Sequence, residues 1–200
     1  MKRIFLSFLI FLVGSFIVQT KAISYSSDPE SFISEVIDEA KVVLSSSSSS
    51  EEKADKLSLI ALKIVDIKGL AYYTLGKKRK ELNPEQLKKY EDLFEKYFLK
   101  SFTSRLTDYS DPKISVLSSE VVNNKYTIVK TMLLKTDKKP EVKIDWRVYT
   151  KDPDNPLIRD LIIEGLSLAR TQKEEFASVL STNNNDINAL FSTLEKFVNK

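Results

Sequence analysis

Asp145, Asp160 and Glu164 come nearest to a catalytic arrangement in this sequence. Two carboxyl groups flanking one bond can divide the roles of acid and base or nucleophile, as in glycoside hydrolysis. Nothing in their spacing requires that, and Arg147 with Asp160 reads more simply as an ion pair between neighbouring strands. Asp152, Asp154 and Asn155 offer oxygen ligands in the manner of a calcium loop. The EF-hand pattern also needs a central glycine and a distant glutamate, which are missing, so Pro153 and Pro156 mark a braced turn instead. The 200 residues contain no cysteine and no histidine. Thiol and imidazole nucleophiles, the Ser-His-Asp triad and thiolate or imidazole metal sites are therefore excluded. Four glycines in the whole chain leave no glycine-rich loop for a phosphate. Only carboxylate, lysine, serine or tyrosine chemistry remains open.

The elements that would position these groups are easier to read. Asn83 to Tyr109 carries the strongest pattern: Asn83 suits a helix N-cap, Pro84 the first helical position and Glu85 the positive end of the dipole. Tyr90, Phe94, Tyr97, Phe98, Phe102, Leu106 and Tyr109 then recur along one helical face as a mostly aromatic rail. Such a rail is either ordinary core against a sheet or the lining of a cavity for an apolar ligand. Before it, Asp28-Pro29 opens a helix with an apolar stripe from Phe32 to Leu44, and Ser45 to Ser50 reads as a linker. The capping-box spacing Ser49 to Glu52 starts a second helix that continues or bends to Leu75, with Gly76 as its left-handed end. Lys77, Lys78, Arg79 and Lys80 follow, either as solvated helix-end charges or as a headgroup or membrane contact.

Beyond the rail the hydrophobic period changes from 3.6 to 2. Residues 113–122, 125–135, 141–150 and 157–164 read as four strands joined by short turns at 123–124, 137–140 and 152–156, hence an antiparallel meander. In the third strand Val142, Ile144, Trp146 and Val148 point to one side, and Lys143, Asp145, Arg147 and Tyr149 to the other. The last segment holds two helices, one capped by Thr171 with Glu174, the next opened by Asp186 after a break at Asn183 to Asn185. The expected fold is α+β: a four-stranded antiparallel meander with helices packed on one face around an apolar cavity.

Met1 to Ala22 reads as a secretory signal, with Lys2 and Arg3 before the apolar run Ile4 to Val18 and a small-residue cleavage site at Thr20-Lys21-Ala22. One domain over residues 23–200 is expected after it. Without Lys2, Arg3 and Lys21 the basic and acidic residues are equal in number, so no general attraction to nucleic acid or anionic membranes follows.

Three stretches together are similar to one known family. Val65-Asp66 followed by Leu70-Ala71 and Leu75-Gly76, then Asn83-Pro84-Glu85-Gln86 with its aromatic helix, then Ile144-Asp145-Trp146-Arg147-Val148 and Asp160 to Leu168 leading into Glu175-Phe176 and Val179-Leu180, resemble the MlaC-type periplasmic phospholipid-binding proteins, also called toluene-tolerance auxiliary proteins of an ABC transport system. The resemblance implies a periplasmic shuttle, not an enzyme, with bound phospholipid as ligand and no cofactor or metal. It also implies two docking partners, an inner-membrane ABC transporter complex and an outer-membrane lipoprotein-porin complex, and a role in maintaining outer-membrane lipid asymmetry. A monomer is expected. The acyl-chain contacts expected under that reading are Tyr97, Phe98, Phe102, Ile128, Met132, Ile144, Trp146, Val148, Ile163 and Leu166. Each of them reads equally well as plain core, since periodicity identifies a buried face but not what covers it. The competing readings are an exported cone-shaped α+β enzyme using carboxylate or tyrosine chemistry, and an exported structural domain with a solid core.

Overall fold

The computed structural model describes residues 25–135 and 140–200; the expected signal segment and most of the 137–140 turn lie outside them. Capping fixes most helix starts. Asp28 accepts from Ser31 N–H ahead of α1 (Pro29–Ser45), and Ser49 accepts from Glu52 N–H ahead of α2 (Ser50–Ile64). The serine run is thus short and useful: Ser46 ends α1, Ser49 begins α2, and Lys53 Nζ donates to the Leu44 carbonyl.

The second helix does not run unbroken to Leu75. It stops at Val65, and α3 (Ile67–Leu75) restarts with Asp66 as N-cap, accepting from Gly69 N–H at 2.9 Å. Gly69 leaves room for this cap: a Cβ there would stand 2.2 Å from the Asp66 carboxylate and displace it. Gly76 ends α3 at φ +56°, as its position suggested, and the four basic residues form a 3-10 turn (Gly76–Glu81). α4 (Pro84–Leu106) carries a full capping box between Asn83 and Gln86 and ends before Tyr109, at Thr107.

The meander has five strands, not four: β1 (Ile114–Asn123), β2 (Tyr126–Leu133), β3 (Val142–Tyr149), β4 (Leu157–Ile163) and the two-residue β5 (Leu166–Ser167), in the spatial order of the sequence and all antiparallel. Glu164 and Gly165, at φ +49° and +82°, turn the chain tightly enough for Leu166 to pair with Ile163. That extra pairing moves the next helix start. α5 (Leu168–Thr182) is capped by Ser167, which accepts from Arg170 N–H, and Thr171 lies within its first turns instead of capping it. Asn184 and Asn185, both at positive φ, make the break before α6 (Ile187–Val198), and Asp186 caps it as expected.

Helices α1, α3 and α5 lie against the sheet, and α4 is wrapped by α2, α3 and α6. One core cluster joins Phe32, Ile33, Leu57, Ile64, Tyr90, Phe94, Phe176, Leu190 and Leu194 to Val129, Val148 and Ile158 of the sheet. Each such side chain contributes roughly 1.5–3 kcal/mol by leaving water. The junction of α2 and α3 is tied to β4 by the backbone, where Val65 bridges Ile158 and Asp66 N–H donates to the Ile158 carbonyl. No described helix is long and apolar enough to cross a membrane.

Candidate functional site

Strand register sorts the sheet into rows. Facing the core are Thr127–Val148–Ile158, then Val129–Trp146–Leu161, then Val116–Thr131–Ile144–Ile163–Leu166, then Ile114–Leu133–Val142. On β3 and β4 burial falls from row to row. Val148 and Ile158 belong to the core itself, Trp146 and Leu161 pack on it while half-buried, and Ile144, Ile163 and Val142 stand outside the cluster although they point the same way.

The aromatic rail shows the same gradient. Tyr90 and Phe94 are 0% and 2% exposed, whereas Phe98, Phe102 and Leu106 are only half-buried. Phe94, Phe98 and Phe102 form one ridge with near-parallel rings 6.3 and 5.7 Å apart. Residues 107–113 join the end of α4 to the start of β1. Leu166 is 69% exposed on β5, at the sheet edge opposite β1.

Of the ten residues expected to contact a ligand, Phe98, Phe102, Ile144, Trp146, Ile163 and Leu166 lie on these two incompletely closed surfaces. Val148, at 0% exposure, is filled in by protein. Tyr97 points elsewhere: one residue along a helix is a turn of about 100°, and its ring sits 4.8 Å from Phe197 and 5.8 Å from Phe176 while its hydroxyl donates to Gln172. Burial pushes its phenol pKa up. Ile128 and Met132 need correcting as members of the group. They pair with Arg147 and Lys143, on the opposite face from Trp146, because side chains alternate along a strand and Val129 and Thr131 take the inward positions. Val116, Ile114 and Leu161, not among the ten, share the inward face with Trp146 and Ile144, their phases set by strand register and by a bulge between Val116 and Ser118.

Two buried hydroxyls near this surface, those of Thr131 and Tyr90, are paired. Thr131, 0% exposed, donates to the Ile144 carbonyl and accepts from the Trp146 indole, both at 2.9 Å. Tyr90 meets Thr74 at 2.7 Å; burial raises its phenol pKa strongly, the Thr74 contact opposing it in part.

Of the carboxylates singled out for acid-base work, Asp160 and Glu164 serve as braces, while Asp145 Oδ1 is buried without a hydrogen-bond partner among the described residues. Asp160 is 4% exposed, accepts from Ser167 Oγ at 2.6 Å and Ala169 N–H at 3.0 Å at the start of α5, and stands 3.6 Å from Arg147, the cross-strand pair expected. Asp145 lies 3.4 Å from Lys143 Nζ, and Glu164 accepts from Lys143 N–H. Arg159, the extra residue in a β4 bulge, donates to Asp66 at 2.6 Å and to Tyr126 at 3.0 Å and lies 3.7 Å from the Tyr149 ring centre. Among the described residues no three acidic side chains gather to hold a metal ion. A separate hollow of about 610 Å³ at the end of α6, between Ser192, Glu195, Lys196, Asn199 and Lys200, shares no residue with the aromatic ridge.

No curated protein matches the sequence. Among solved structures, a phospholipid-binding protein from Ralstonia solanacearum, determined in complex with a phospholipid, has this fold, with a TM-score of 0.73 and 18% identity over 86% of this chain and 97% of that one. The family model described as MlaC protein matches residues 32–196, from the first turn of α1 to the last of α6. The chain belongs to the MlaC family.

Proposed function

We propose that this protein is a periplasmic phospholipid carrier whose acyl-chain site lies between the second half of α4 and the Ile144 end of the sheet. One observation carries the reading: Phe98, Phe102 and Leu106 of α4, and Ile144, Trp146, Leu161 and Ile163 on the helix-facing side of the sheet, are all left only half-buried. Large aromatic and branched side chains left half-covered on the inside of a fold call for a third apolar body. The Ralstonia relative of the same fold was solved with a phospholipid, which supports an acyl chain as that body.

The energetics explain why a carrier is needed. Each methylene leaving water contributes about 0.8 kcal/mol, so a diacyl lipid does not cross an aqueous compartment as a monomer at a useful rate. A dry site between sheet and helix keeps the lipid at nearly its bilayer free energy, and no bond has to break. Export by the leader at residues 1–22 would leave residues 23–200 as one carrier domain. Loading and unloading then belong to partners at the two membranes, an outer-membrane lipoprotein-porin complex and an inner-membrane ABC transporter that supplies direction by nucleotide hydrolysis.

Native purification, organic extraction and mass spectrometry test this directly. About one phospholipid per chain is expected. A lipid-free protein that also takes none from liposomes would overturn the proposal and leave a structural domain with a solid core.

A further inference from the structure

Overall neutrality conceals a local concentration of charge. Between Lys68 and Lys89 there are seven basic and two acidic residues. Lys68, Lys88 and Lys89 are engaged with Glu91, Asp92 and Glu195, and Lys78 with Glu81. Lys77, Arg79 and Lys80, all exposed on the 3-10 turn, have no carboxylate partner among the described residues. Solvated charges at a helix end would need no more than that.

The surroundings of the turn point further. Arg79 lies 4.8 Å over the ring of Tyr72, which holds its guanidinium against the protein surface. Tyr73, the next residue, is 44% exposed, and Lys173 of α5 lies 4.9 Å over its ring. A Cβ at Gly76 would meet Lys173 Cε at 3.3 Å, so the turn rests on the first part of α5. That part of α5 emerges directly from β5, whose Leu166 marks the open margin of the apolar site. Cations and an exposed phenol beside the exit of an apolar site match the two layers of a bilayer surface, phosphate outside and headgroup boundary beneath.

We propose that Lys77, Arg79 and Lys80, with Lys173 and Tyr73, form a docking surface for an anionic phospholipid bilayer. An acidic protein could satisfy the charges, but the exposed tyrosine among them favours an interface that accepts an aromatic ring at headgroup depth. The surface brings the Leu166 margin close to the leaflet from which lipid is taken or to which it is given. This last step rests on the carrier reading; the docking itself does not.

Protein produced from the full chain, floated with vesicles of phosphatidylcholine alone or mixed with phosphatidylglycerol, provides the test. Binding is expected only to the mixed vesicles and is expected to weaken as salt rises. Each basic residue at an anionic surface is worth about fivefold in partitioning, so Lys77→Gln, Arg79→Gln and Lys80→Gln together should weaken binding roughly a hundredfold at low salt. The same change in net charge at exposed Lys125, Lys151 and Lys196 should leave it nearly unaltered, and Tyr73→Ser should lower it at every salt concentration. Equal binding to both vesicle types, a basic-turn variant that binds like the parent, or equal loss in both triple variants would overturn the proposal. So would loss of binding to an acidic protein with vesicle binding intact. Circular dichroism establishes that the variants fold. Lipid content by mass spectrometry, read on the same samples, reports the carrier reading separately.

Discussion

The indole N–H of Trp146 donates to the hydroxyl of Thr131 across the β2–β3 pair, and that hydroxyl donates in turn to the Ile144 carbonyl, each at 2.9 Å. The chain's one tryptophan is therefore pinned on the inward face, half-covered, one row from the end of the protein core. Its fluorescence should be quenched strongly when the protein is loaded with a phospholipid brominated along its acyl chains, and not by one brominated only in the headgroup. Quenching by neither would remove Trp146 from the site. Thr131→Val leaves the indole N–H unpaired and should cost about 1–3 kcal/mol in urea unfolding.

The alternation of β2 and β3 gives a test by opposites. Ile144→Asn places an amide on the inward surface and should remove most bound phospholipid, whereas Ile128→Asn, on the outward face beside Arg147, should leave lipid content near that of the parent. Phosphorus analysis of purified protein reads both. Equal loss from the two variants would contradict the placement of the site.

Gly69 and Asp66 should show a change of sign. With Asp66 in place, Gly69→Ala forces the capping carboxylate away and should cost about 1–2 kcal/mol, the value of an N-cap. In an Asp66→Ala background the clash is absent, and the same substitution should stabilise α3 by up to about 1 kcal/mol through helix propensity. Urea midpoints of the four proteins give the cycle. Additive effects would mean that the carboxylate does not occupy the space over Gly69.

Acid should weaken the fold partly through Glu91. Burial pushes its carboxyl pKa up, but hydrogen bonds from Tyr72 and Lys68 and the Lys68 charge outweigh this and hold it below the ordinary carboxylate value. A depressed folded-state pKa contributes stability that is present above the unfolded value and is lost as pH falls through the folded one. The urea midpoint should therefore drop between neutral pH and about pH 3, and Glu91→Gln should reduce that drop. An identical pH profile in the variant would refute the assignment.

Local signals made much of this fold legible. Asn83-Pro84, Asp28-Pro29 and Ser49 to Glu52 are caps whose chemistry acts within four residues, and Trp146 and its alternating neighbours announce their own strand. Interactions that depend on distant partners were not legible. The bend before Leu75, open in the sequence, is placed at Asp66 by the Ile158 carbonyl and Arg159, and β5, which no sequence signal announces, depends on a two-residue turn at positive φ. For the site, the inward phase of β3 was readable, but that of β2 was not. Thr127 and Thr131 take inward positions that polarity alone assigns to solvent, so Ile128 and Met132 were drawn to the wrong side.

The Asp66–Arg159 contact joins residues 93 apart in sequence, and this bears on the order of assembly. During synthesis the first four helices are complete long before β4 exists, yet α3 lacks its lateral brace until residues 158–160 arrive. Contacts of such long range slow folding, because a large loop must close before any of them forms. On this basis α3 should gain its full stability only once the fourth strand seats. Pulsed hydrogen exchange should find α3 amides protected no earlier than those of β4; early, independent protection of α3 would show that the helices settle without the sheet.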